Sequence, residues 1–142
     1  GTINTSYFNN SSSESGGAIL VDSADTVNIN GHFVGNYSDG SGGAIYIDRG
    51  TSIDTIKGDF LGNEASRYGG AIYTDYSGEI ETITGDFIGN YSVGENSAVI
   101  YNSANIEEIS GKIMEIIEEY EQENKNLIQN FFKNKRKNTR KP

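Results

Sequence analysis

Cysteine is absent from the 142 residues, which removes disulfide frameworks, thiolate metal sites and cysteine nucleophiles together and leaves the redox compartment open. Proline occurs once against 18 glycines. Those glycines therefore do not mark a disordered Pro/Gly/Ser linker and need a structural reason at particular positions. Hydrophobic residues make up 35% of the chain, which suits a thin, regular core better than a thick globular centre. Nowhere is there a run of about 18 apolar residues, so no transmembrane segment is expected in this piece. Gly1 is followed by no charged-then-apolar leader, and the chain reads as an excised or processed piece.

The net charge of −9 conceals an asymmetry, because Lys133, Lys135, Arg136, Lys137, Arg140 and Lys141 lie in the last ten positions. Ahead of them, five basic residues stand against 20 acidic ones, a balance of −15. An acidic body of this kind repels nucleic acid and anionic membrane, so the main domain is expected to bind neither.

What the chain does have is a repeat. Gly-Gly-Ala-Ile occurs at 16–19, 42–45 (Gly42, Gly43, Ala44, Ile45) and 69–72 (Gly69, Gly70, Ala71, Ile72), and Asn96-Ser97-Ala98-Val99 reads as a degraded copy. The steps are 26, 27 and 27 residues. A second block keeps the same beat, with Phe33, Phe60 and Phe87 each followed three residues later by Asn36, Asn63 and Asn90. Tyr7 to Asn10 is a worn copy upstream. Ile53-Asp54-Thr55-Ile56 returns as Ile80-Glu81-Thr82-Ile83 and as Ile106-Glu107-Glu108-Ile109.

Short strand-like runs alternate with Gly, Asn, Asp and Ser, which is turn chemistry. A unit this short cannot bury its own apolar face, so the copies must stack. Stacking sets like on like, with parallel strands about 4.8 Å apart. The three phenylalanines then form an internal column, each worth roughly 2 to 3 kcal/mol of burial. Asn36, Asn63 and Asn90, each after a glycine, are expected to take the left-handed turn conformation and to pass amide hydrogen bonds from rung to rung. The glycine pair permits a sharp corner where a Cβ would collide with the next rung. Ile45 and Ile47 are expected to point inward, with Tyr46 outward.

Gly-Gly-Ala-Ile alternating with Phe-x-x-Asn at a fixed step resembles the chlamydial polymorphic outer membrane protein repeat and the related passenger domains of bacterial autotransporters, over roughly residues 1 to 111. The resemblance implies an all-β fold, a right-handed parallel β-helix of about four rungs, exported across the outer membrane and displayed at the cell surface or secreted. It also implies a role in adhesion or host contact, with a protein or glycan as partner.

Stacking aligns acids as well. Asp22, Asp48 and Asp75, with Asn102 after them, fall at equivalent positions, as do Asp59 and Asp86. Carboxylates about 5 Å apart invite comparison with retaining glycosidases, and a polysaccharide lyase or hydrolase on the same solenoid is the alternative reading. A copied surface aspartate gives such a ladder without catalysis, and the favoured reading is not an enzyme. The Gly-Gly-x-Gly-x-Asp calcium repeat is missing, His32 is the only histidine, and no triad, metal cluster or cofactor fingerprint can be assembled. Tyr46, Tyr73 and Tyr76 are candidate binding residues; like Tyr37, Tyr91 and Tyr101, they either grip a partner or cover the corners of the solenoid. Asn36-Tyr37-Ser38 and Asn90-Tyr91-Ser92 are glycosylation sequons that matter only in a eukaryotic secretory route.

After Gly111 the character changes. Residues 112–132 carry an amphipathic helical stripe, expected to be a C-terminal helix that caps the solenoid or joins copies as a short coiled coil. Residues 133–142 read as a basic, disordered tail. The leading expectation is a non-catalytic, surface-exposed passenger fragment that binds a partner, with a purely structural spacer as a further alternative.

Overall fold

The computed structural model describes residues 1–75, 79–94, 99–102, 105–110 and 113–114. Among them all regular structure is strand. The first turn comprises β1 (Thr2–Asn4), β2 (Tyr7–Phe8), β3 (Ser11–Ser12) and β4 (Ile19–Val21). The second comprises β5 (Val27–Asn30), β6 (Phe33–Val34), β7 (Tyr37–Ser38) and β8 (Ile45–Ile47). The third comprises β9 (Ser52–Lys57), β10 (Phe60–Leu61), β11 (Glu64–Ala65) and β12 (Ile72–Thr74). The same order continues in β13 (Glu79–Thr84), β14 (Phe87–Ile88), β15 (Tyr91–Ser92), β16 (Ile100–Asn102), β17 (Asn105–Ser110) and β18 (Ile113–Met114).

Each strand pairs in parallel with its counterpart one turn away, giving four sheets that run the length of the molecule: β1-β5-β9-β13-β17, β2-β6-β10-β14-β18, β3-β7-β11-β15 and β4-β8-β12-β16. This is a parallel β-solenoid of about three turns. Of the four rungs expected, the fourth is only partly within the described residues. The core is a narrow stack of Ile19, Ile45 and Ile72, of Ile29, Ile56 and Ile83, and of Phe33, Phe60 and Phe87, all buried. Ile45 and Ile47 point inward and are fully buried, with Tyr46 between them half-buried, as the two-residue alternation of a strand requires.

Two irregularities explain the uneven beat. Val27 sits opposite Ile53, but Asn28 sits opposite Thr55, so a β-bulge takes up the extra residue that lengthens the first step from 26 to 27. A second residue is added between Ser92 and Val99. Ala65 pairs with Ser92, whereas Ile72 pairs with Ile100 and Thr74 with Asn102. The degraded copy is thus displaced by one from the position read in the sequence: Val99 receives the Ala71 and Ile72 amides as Ala71 receives those of Ala44 and Ile45. In consequence Asn102 is not the continuation of the Asp22, Asp48 and Asp75 row.

The Gly-Gly corner is set by backbone crowding. Gly42 adopts φ +71 and Gly69 φ +67, and a Cβ on Gly43 would lie 2.1 Å from the Gly70 carbonyl oxygen. No side chain fits there without moving the next rung. At the C-terminal end, parallel pairing continues beyond residue 111: Ile113 and Met114 pair with Phe87 and Ile88. The predicted boundary therefore needs moving at these two residues, because Ile113 takes the register position of Phe87. The rest of the expected helix, 115–132, and the basic tail lie outside the described residues.

Candidate binding face

Most of the repeated side chains are consumed by the interior. Phe33, Phe60 and Phe87 stack with ring centroids 4.7 Å apart, at interplanar angles of 6° and 2°. Tyr7 extends the column at the first turn, 5.3 Å from Phe33. Beside them runs a ladder of asparagines. Asn36 Nδ2 donates to Asn63 Oδ1 at 2.9 Å, and Asn63 Nδ2 to Asn90 Oδ1 at 2.7 Å. The same oxygens accept the backbone N–H of the preceding asparagine, Asn36 on Asn63 at 3.0 Å and Asn63 on Asn90 at 2.9 Å. The second proton of each Nδ2 reaches back to a backbone carbonyl: Asn63 to Phe33 at 2.9 Å and Asn90 to Phe60 at 2.7 Å. Each Oδ1 of Asn36, Asn63 and Asn90 receives an N–H from the rung before, which fixes the orientation of its amide.

The left-handed conformation expected of these asparagines belongs instead to the residue before each one. Gly35, Gly62 and Gly89 have φ +65, +61 and +66, and in the first turn Asn9 fills that role with φ 53. Glycine enters this region without a Cβ penalty, which frees the asparagine that follows to aim its amide inward. The sequons Asn36-Tyr37-Ser38 and Asn90-Tyr91-Ser92 are closed to modification in the folded protein, because Asn36 and Asn90 are buried with their amides inside the ladder.

The outer surface carries a second ladder. Register sets Leu20, Tyr46, Tyr73 and Tyr101 side by side on the sheet β4-β8-β12-β16. The rings of Tyr46 and Tyr73 stack at 4.9 Å and 10°, those of Tyr73 and Tyr101 at 5.2 Å and 12°. Tyr68 leans on Tyr101 at 5.0 Å and 36°. Leu20 opens the row and is 53% exposed. Its membership is legible only through the interval of 26 residues to Tyr46, since its chemistry differs from that of its neighbours. Because the rings face one another, the row shows solvent its edges and hydroxyls. Burial pushes Tyr73 up to about 12, with Tyr46, Asp75 and Tyr101 adding to it. Tyr46 is raised by burial first and then by Asp48 and Asp75. Tyr76 lies outside the described residues.

The aspartates fall into two groups. Asp22, Asp48 and Asp75 follow the tyrosine row by two residues, immediately after the strands of that sheet, with the Asp48 amide bonded to the Val21 carbonyl and the Asp75 amide to that of Ile47. Asp22 accepts from the Ser23 hydroxyl at 2.8 Å, and Asp48 accepts the Arg49 amide at 2.8 Å. On another side Asp59 accepts the Asp86 amide at 3.2 Å and lies 3.3 Å from His32 Nδ1. His32 is at the rim of an open groove lined by Asn4, Thr5, Ser6, Asn30, Lys57 and Gly58. The Asp22 and Asp48 carboxylates thus bond within their own turns, and that of Asp59 bonds to the turns on either side.

A parallel solenoid with one ladder of buried amides and another of half-buried phenols defines a repeat domain whose stacked interior maintains the fold. Residues 30–48 and 58–75 match the family described as the Chlamydia polymorphic membrane protein repeat. Each matched segment spans three of the four strands of a turn, from the phenylalanine block through the Gly-Gly corner to the outer aspartate. Comparisons with curated proteins and with solved structures give no match. Among the described residues no helix is long and apolar enough to cross a membrane.

Proposed function

We propose that this solenoid is a non-catalytic passenger displayed at a bacterial cell surface, where it acts in adhesion or in binding a host or partner molecule. Polymorphic membrane protein repeats on a β-solenoid fit a surface passenger-type domain, and the match to that repeat supports an outer-membrane or surface location. A right-handed coil and autotransporter-type export belong to the same reading. The observation that carries it is the division of labour within the repeat: the phenylalanine and asparagine blocks are spent on interior packing, while Tyr46, Tyr73 and Tyr101 offer a regular outer row outside the core cluster.

The test is binding of the purified chain to cultured host cells. Saturable binding is expected, and it should fall when Tyr46 and Tyr73 are both replaced by serine while circular dichroism keeps its β signature. A chain that binds nothing at all would be a spacer. Depolymerisation of a polysaccharide, abolished by Asp48→Asn with Asp75→Asn, would replace this reading with an enzymatic one.

A further inference from the structure

The geometry points to the outer face of β4-β8-β12-β16 as a docking surface for a basic polypeptide segment, its lysine or arginine stems lying along the tyrosine row and its cationic heads on the aspartate row. This deepens the passenger reading by stating the chemistry of the partner, and it rests on that reading.

Three observations lead there. The first is shape and composition: Leu20, Tyr46, Tyr73 and Tyr101 make a continuous aromatic and aliphatic ridge on one sheet. The second is charge. Asp22, Asp48 and Asp75 run parallel to the ridge, two residues further on and just past the end of each strand, about 7 Å away if the chain stays extended. That separation lies within reach of a long cationic side chain whose methylenes cover the ring edges. Arg49 is a basic group next to this row, with Nε 4.0 Å from Asp48 and a side chain 69% exposed. So open a pair is weak and is readily exchanged for an incoming guanidinium. The Tyr46 hydroxyl is raised chiefly by burial and further by Asp48 and Asp75, against an opposing effect of Arg49, which fits the closeness of the two rows.

The third observation excludes the main competitor. A sugar ring stacks on an exposed aromatic face, but here the faces of Tyr46, Tyr73 and Tyr101 are turned to one another at 10° and 12°. The phenol oxygens remain, and they accept hydrogen bonds from a guanidinium as carboxylates do. The body ahead of residue 133, five basic residues against 20 acidic, draws such a segment in from a distance.

The test uses the full chain and a fluorescently labelled peptide in which arginine alternates with serine, followed by anisotropy at low and physiological salt. Binding is expected, together with loss of at least about tenfold in affinity for Asp48→Asn with Asp75→Asn, and a similar loss for Tyr46→Ser with Tyr73→Ser. Asp59→Asn with Asp86→Asn removes the same charge from another side and should stay within about twofold. Equal losses from both aspartate pairs would reduce the effect to general attraction and overturn the assignment. So would unchanged binding in the tyrosine variant. A version lacking 133–142 that binds the peptide more than tenfold tighter would give this face to the chain's own basic end and not to a partner. Tyr73→Phe keeps the ring and separates a lost hydroxyl contact from a disturbed fold. Host-cell binding that survives the Asp48 and Asp75 changes would sink this inference and leave the passenger reading standing.

Discussion

The interior and exterior ladders share one repeat and one spacing, yet different physical demands hold their members in line. Phe33, Phe60 and Phe87 are at most 1% exposed, their column continues in register only with the bulky Tyr7 and Ile113, and Asn36 and Asn63 beside them are bonded to the rungs on both sides. The outer row admits Leu20 where its neighbours have tyrosine. A buried column must match its neighbours in volume and in hydrogen bonding, whereas an outer column need only avoid clashing. Repetition of a residue type along a solenoid therefore reports two separate pressures, and burial tells them apart.

The largest effect is expected from breaking the asparagine ladder at its centre. Asn63→Ala deprives Asn36 of the acceptor for two N–H groups, the Phe33 carbonyl of its Nδ2 donor and the Asn90 oxygen of its side-chain donor, leaving it the backbone N–H of residue 63. Stranded buried polar groups cost about 1–3 kcal/mol each, so the sum should exceed about 4 kcal/mol in urea unfolding. Phe60→Ala follows at about 3–5 kcal/mol, since both flanking rings lose their partner and the rigid rungs cannot collapse into the cavity. The same truncation at Tyr46 should cost far less, and equal costs would erase the distinction between the two ladders.

A change of opposite sign sharpens the comparison. Ser38 is buried and its hydroxyl has no hydrogen-bond partner, while the residue opposite in the next turn is Ala65. Ser38→Ala should stabilise the protein by about 1 kcal/mol, because it removes a desolvated hydroxyl and supplies the residue that the neighbouring rung already uses. Thermal unfolding that shifts downward would mean that the serine has a role in its column after all.

The parallel stacking was legible in the sequence because the motifs that carry it are those whose interior places allow few residue types. Three phenylalanines and three asparagines 27 residues apart, with glycine pairs 26 and 27 apart, are buried together when the copies stack. What escaped was the phase. The bulge opposite Asn28 is silent in the sequence, since Asp54 looks like any other strand residue. The slip before Val99 was masked because Ala98-Val99 imitates Ala71-Ile72 while the backbone pairs Ile100 with Ile72. Which of Gly35 and Asn36 takes the left-handed conformation was misread for a related reason: both residue types visit it, and only the demand of the ladder assigns it to the glycine. The outer face was half legible. Tyr46 and Tyr73 stood out by type, but their mutual stacking, and Leu20 as the end of their row, follow from register.

The smallest expected effect belongs to the outer row and appears only in alkali. Tyr73 is held at about 12, chiefly by burial, against an ordinary value of 10.0. Between those two values the folded protein keeps a proton that the unfolded chain has released, so stability falls as pH rises through this interval and is unaffected below it. Partial exposure of the ring to solvent keeps the loss modest. Phenolate absorbance should therefore show a late-titrating component near pH 12 that Tyr73→Phe removes, and the same substitution should flatten the decline of urea stability between pH 10 and 12. If the late component survives in Tyr73→Phe, the buried phenol lies elsewhere, and the ridge is more open to water than its stacked rings imply.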